Sequence, residues 1–172
     1  MSNGKTVQSL MQDVFDFPHI PYWFTIRQAM GIVKKSLLSG EKCHHPMALL
    51  VFDEKYNLMG TISLKDLLKG IEPKFMQSTS KAQWPDPDES GLSHIWDSLF
   101  DTESREAAER PVSEIMVPAK FFVKPEDPVT KAAYLMVHND LVLLPVLEDK
   151  KKFVGLVRMI EVFDELSSAI VK

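Results

Sequence analysis

Residues 50–68 (LVFDEKYNLMGTISLKDLL) and 145–163 (PVLEDKKKFVGLVRMIEVF) are versions of one another, 95 positions apart and without a gap. Apolar positions fall on apolar positions, the acidic turn at Asp53 falls on the one at Glu148, and Gly60 falls on Gly155. A repeated unit of this size usually cannot cover its own hydrophobic face, so two copies imply a paired module with a seam between them. The differences between the copies then carry the functional question. Ser63 and Asp66 in the first copy stand where the second has Arg158 and Glu161.

Each copy extends upstream. Ile26, Ala29, Met30, Val33 and Leu37 recur at helical spacing, and Val129, Ala132, Ala133 and Met136 repeat the pattern; both sets mark one face of an amphipathic helix. Thr25 and Asp127 suit the N-cap of these helices and Pro128 the first turn. Residues 7–11 and 112–116 are a further matched pair of leaders, each introducing a short extended stretch, 18–24 and 121–125. After each helix the pattern predicts a buried strand (48–52, 141–147), a short turn, an antiparallel second strand (58–62, 153–157) and a final helix from Leu64 or Met159. The order per copy is strand, helix, strand, strand, helix, a mixed α/β (α+β) fold.

The copies divide the chain into residues 1–71 and 112–172, with 72–111 as an insertion. The first copy also carries about eight extra residues within 34–45. Within the insertion, Pro85 and Pro87 exclude regular helix or central strand. Its second part reads as an amphipathic helix over 90–109, with Leu92, Ile95, Trp96, Leu99 and Phe100 on one stripe that must pack on the module or on a partner.

Bulk properties narrow the function class. A net charge of −4 gives no electrostatic argument for nucleic acid or an anionic membrane. One cysteine excludes an internal disulfide framework and fits a reducing compartment. Without a signal peptide or an apolar run of membrane-spanning length, the chain reads as soluble and cytoplasmic. There is no nucleophile elbow, phosphate loop or His-bearing catalytic helix, so no enzyme is expected.

In this order, twice over, the pieces resemble the CBS-domain family, as a stand-alone tandem CBS-domain pair (a Bateman module). The residues that carry the resemblance are 112–116 (VSEIM), 125–133 (PEDPVTKAA), Leu144-Pro145-Val146 with Glu148, and Gly155-Leu156-Val157. In the first copy they are Ser9-Leu10-Met11, residues 25–30 (TIRQAM), Val51-Phe52-Asp53, and Gly60-Thr61-Ile62-Ser63-Leu64-Lys65-Asp66-Leu67. The resemblance implies two βαββα repeats packed through their sheets, with a helical insertion between them. It further implies a regulatory, ligand-sensing module that holds an adenosyl compound (AMP, ADP, ATP or S-adenosylmethionine) in a cleft between the repeats, requires no cofactor, forms a homodimer and acts on a regulated partner protein. In that family the Ser/Thr and Asp of the Gly-x-x-Ser/Thr-x-x-Asp motif hold the ribose, and the residue after the glycine, here Thr61, lies against the adenine. The opposite wall would come from the second copy, around Asp127, Ala132, Leu141 and Val142.

Side-chain chemistry gives each of these residues two readings. Asp66, in the first turn of a helix that Ser63 opens, can accept hydrogen bonds from vicinal ribose hydroxyls, with Lys65 beside it as a phosphate contact. The same Ser63-x-x-Asp66 string is equally a helix capping box. Arg158 either pairs with Glu161 or turns towards ligand phosphates. Ala132 either admits an adenine edge or packs its helix. Cys43-His44-His45 matches no common zinc spacing and reads as an exposed loop, with metal sensing as the alternative. A module that has lost ligand binding and docks through helix 92–100 is the competing function.

Overall fold

The structure, a computed structural model, describes residues 4–38, 48–74, 100–150 and 152–171. In chain order its elements are β1 (Gln12–Asp13), β2 (His19–Pro21), α1 (Ile26–Leu38), β3 (Ala48–Phe52), β4 (Leu58–Ser63), α2 (Leu64–Gly70), α3 (Thr102–Ala107), β5 (Val117–Pro118), α4 (Val129–His138), β6 (Leu143–Glu148), β7 (Lys152–Arg158) and α5 (Met159–Ile170). Short 3-10 turns occupy Val7–Ser9, Val14–Asp16 and Val112–Glu114. Two compact units result: Pro18–Pro118, and Met1–Phe17 together with Ala119–Lys172.

In the first of these, α1 opens on a reciprocal cap. The Thr25 hydroxyl accepts the Gln28 N–H at 3.1 Å, and the Gln28 side-chain oxygen accepts the Thr25 N–H at 2.9 Å. The apolar stripe then buries Ile26, Ala29 and Val33 against Leu49, Val51 and Ile62 of the sheet. The sheet order is β2-β3-β4-β5, with β2 parallel to β3 and the other pairs antiparallel. β3 is buried on both faces, which is why its sequence is one apolar run without alternation.

The second unit repeats this down to individual residue partners. Ala48↔Ser63, Leu49↔Ile62, Leu50↔Thr61 and Val51↔Gly60 become Leu143↔Arg158, Leu144↔Val157, Pro145↔Leu156 and Val146↔Gly155, each shifted by 95. Even the irregularity is conserved between the copies, after Val51 in one and after Val146 in the other. Both glycines have the same cause. A Cβ on Gly60 would stand 2.5 Å from the Val117 carbonyl oxygen, and one on Gly155 would stand 2.5 Å from that of Gln12. The short edge strand beside each can close only on a residue without a side chain.

Those edge strands come from the leaders, and each leader packs on the copy it does not precede. β1 pairs with β7, and β5 pairs with β4. The Val7 N–H donates to the Asp127 carbonyl, and the Lys5 carbonyl accepts the Val129 N–H. In the other unit the Val112 N–H donates to Phe24, and the Arg110 carbonyl accepts the Ile26 N–H. Val7 and Val112 are fully buried in the cores they join. The linear division at 71 and 112 is therefore not the division in space, because each leader belongs to the unit built on the other copy, where it satisfies helix-start N–H groups and covers a sheet edge.

Two expectations need correcting. Asp127 does not cap α4. Pro128 occupies that position in extended backbone (φ −68°, ψ 146°), and the Asp127 carboxylate turns back to the Lys124 N–H at 2.8 Å. Nor does one helix run over 90–109, because Phe100 and Asp101 are not helical and α3 starts afresh at Thr102. Leu92, Ile95, Trp96 and Leu99 lie outside the described residues. The stretch from α3 to Arg110 is firmly anchored. The Ser104 hydroxyl donates to the Ile71 carbonyl at 2.6 Å and the Arg110 guanidinium to the Gly70 carbonyl at 2.7 Å, so both meet carbonyls at the end of α2.

Candidate functional site

Thr61 and Ser63 are two apart on β4 and so share one face of the sheet, beside their β3 partners Leu50 and Ala48. Thr61 is buried and Ser63 half-buried. Ser63 ends the strand in extended backbone (φ −91°, ψ 169°), and α2 begins at the next residue, which brings Asp66 back over it. The Ser63 N–H and its hydroxyl both donate to Asp66 Oδ2, each at 2.8 Å, and the Ser63 hydroxyl accepts the Asp66 N–H at 3.3 Å.

The capping reading is thus realised in full, and it leaves something over. Both bonds to the carboxylate fall on Oδ2, and among the described residues Oδ1 accepts none. Ser63 has given its only hydroxyl proton to Asp66, so towards anything else it can only accept. The pair presents acceptors alone, held in place by the cap. Its natural complement is a group that donates two neighbouring hydrogen bonds, as a vicinal diol does; a phosphate oxygen finds no donor there.

The equivalent turn in the second unit is closed. The Arg158 N–H donates to Glu161 Oε2 at 3.1 Å, as Ser63 does to Asp66. The Arg158 Nε then donates to both glutamate oxygens, at 2.8 and 3.1 Å, and Nη2 donates to Oε1. The two side chains are only 13% and 16% exposed. A guanidinium has no lone pair for the Glu161 N–H, so only the carboxylate arm of a capping box forms here. Of the two arrangements open in the sequence, the structure contains the ion pair.

The remaining residues divide between the units. Lys65 is an exposed residue of α2. Asp127 accepts from the Lys124 N–H and from the Lys131 ammonium at 2.7 Å. Burial pushes its carboxyl up, but Lys131 and Lys124 outweigh that and hold it below the usual carboxylate range. Ala132 has no exposed surface and packs within the core around Val129, Met136 and Leu144, so it offers no face to an adenine. Leu141 is half-buried against that core. Val142 is exposed, and its carbonyl accepts the Met159 N–H at 2.8 Å, at the start of α5. Ala48 and Leu50, the β3 partners of Ser63 and Thr61, were not singled out in the sequence, because an unbroken apolar strand hides which side chain takes which face.

Cys43, His44 and His45 lie outside the described residues. Among the described residues no group of three His, Cys, Asp or Glu is placed to hold a metal ion, and no helix is long and apolar enough to cross a membrane.

The family model for the CBS domain matches residues 112–168. Among solved structures, CBSX2 in complex with AMP superposes with a TM-score of 0.61 at 17% identity, over 97% of this chain and 99% of that one. The chain folds as a CBS-domain pair. The CBS domain pair of MJ0100, in complex with 5′-methylthioadenosine and S-adenosyl-L-methionine, gives a TM-score of 0.62 at 17% identity, covering 96% and 98%. The cytosolic domain of the Mg2+ channel MgtE, in complex with ATP, gives 0.57 at 21% identity; 93% of this chain spans 48% of that one. No curated protein matches in sequence. At such identities the likeness is one of fold, and the chemistry must be argued from this chain's own residues.

Proposed function

We propose that this CBS-domain pair is a non-catalytic regulatory module that binds an adenosyl compound (AMP, ADP, ATP or S-adenosylmethionine) through the hydroxyls of its ribose at Ser63 and Asp66. One observation carries the reading: the Asp66 carboxylate is fixed through Oδ2 by two Ser63 donors while, among the described residues, Oδ1 is left without a partner. The adenosyl ligands named for the superposed structures support the ligand class. Occupancy would act on a partner protein by favouring one of two states of the module, in proportion to its differential affinity for them. The module works in the cytoplasm as a homodimer, for which exposed Leu68 on α2, and Ile160 and Phe163 on α5, provide apolar surface.

Asp66→Asn separates binding from capping. The amide oxygen still accepts from both Ser63 donors, but an NH2 then stands where Oδ1 was and repels a hydroxyl donor. Wild type should melt higher with AMP, ADP, ATP or S-adenosylmethionine, by about 4 kcal/mol in stability at a thousandfold excess over Kd. Asp66→Asn should keep the unliganded stability within about 1 kcal/mol and lose that increment. A variant that binds as wild type does, in calorimetry, removes the ribose assignment.

A further inference from the structure

We infer that Arg158 and Glu161 form a self-filled site, so that the chain takes one adenosyl ligand rather than two, with Arg158 setting that number. The inference rests on the ribose reading of Ser63 and Asp66, and it adds what the second copy does with the same backbone. The two turns are equivalent residue for residue: Ala48↔Ser63 in one register is Leu143↔Arg158 in the other, and a carboxylate three residues on accepts the N–H of that strand-end residue in both.

The difference is what remains of the carboxylate. In the first copy the strand-end side chain brings one donor and spends it on the oxygen already used, so Oδ1 is open. In the second, the guanidinium brings a fork of donors that covers both oxygens. Arg158 also removes the accepting hydroxyl, since arginine accepts nothing. A diol arriving here finds no free acceptor for its two O–H donors and would have to displace a half-buried, multiply bonded ion pair. Glu161 is one methylene longer than aspartate, and that length lets it fold back over the guanidinium.

Calorimetry with AMP tests the inference. Wild type should bind one equivalent per chain, and Arg158→Ser with Glu161→Asp should bind two. Building the same pair of changes into Asp66→Asn isolates the second copy: one equivalent should appear where Asp66→Asn alone binds none. Two equivalents on wild type overturn the inference whether or not the variants fold. So does Glu161→Ala weakening AMP on otherwise wild-type protein, or a folded triple variant that gains nothing. If instead Asp66→Asn binds as wild type does, the ribose reading of the first copy has failed. The gain on restoring Ser and Asp at 158 and 161 still decides the second.

Discussion

The two repeat glycines and the helical Gly31 predict opposite responses to the same substitution. On Gly155 an added methyl meets the Gln12 carbonyl oxygen at 2.5 Å, where ordinary contact begins at 3.4 Å. Relief needs a movement of about 0.9 Å, an overpacking strain of the kind that costs roughly 1–3 kcal/mol. The obstacle is backbone held in a two-residue strand, so no side-chain rotation relieves it. Gly60 is tighter still, with the Val117 oxygen at 2.5 Å and the Met116 sulfur at 3.1 Å. Gly31 lies on the exposed side of α1, and nothing stands within 4 Å of its added Cβ. There alanine removes the helical penalty of glycine, a gain of about 0.8 kcal/mol. At roughly 2–4 °C per kcal/mol for a chain of this length, Gly155→Ala should melt about 2–12 °C below wild type, Gly60→Ala lower again, and Gly31→Ala a few degrees above. Scanning calorimetry of the three proteins reads this directly. If Gly155→Ala melts with wild type, the leaders do not close on the repeat glycines, and the spatial exchange of leaders loses its explanation.

Two other perturbations act through single contacts. Ser104→Ala leaves the Ile71 carbonyl at the end of α2 without its 2.6 Å donor; urea titration should show a loss of about 1–2 kcal/mol, and an unchanged midpoint would mean the end of the insertion is not anchored there. Asp127 has a folded pKa below its unfolded value near 3.9, so its contribution is fully present above that value and disappears as pH falls through the lower folded one. The gap in melting temperature between wild type and Asp127→Asn should therefore be flat near neutrality and shrink on acidification below about pH 4; a gap that widens reverses the sign.

The repeat made most of the architecture legible. An ungapped offset of 95 is a register statement, and it carried through strand pairing to the bulge after Val51 and Val146. The exchange of leaders was hidden for a physical reason. Val7–Ser9 and Val112–Glu114 are single turns with one buried residue each, too short for any periodicity to say which core they enter. The misplaced cap at Asp127 has the same origin. Pro128 sits extended, and the Val129 N–H that a cap would have served is met by the Lys5 carbonyl, more than a hundred residues away in sequence. At the site, the residue types were readable and their accounting was not. Whether Ser63-x-x-Asp66 caps or binds depends on which carboxylate oxygen the cap consumes, and no string encodes that.

The divergence between the copies is a change of two residues acting as one, and its energetics should show that coupling. In the second copy, removing Arg158 leaves a carboxylate that is 16% exposed with a single backbone donor. Removing Glu161 leaves a guanidinium that is 13% exposed with no partner among the described residues. Each single change incurs the desolvation of the group left behind, whereas removing both leaves neither. A double-mutant cycle over Arg158→Ala and Glu161→Ala, read by chemical denaturation, should give a coupling of about 1–3 kcal/mol. The same cycle at Ser63 and Asp66 should give less, since only neutral donors meet that carboxylate and one oxygen stays available to solvent. Coupling of similar size at both turns would mean that the second copy is no more closed than the first.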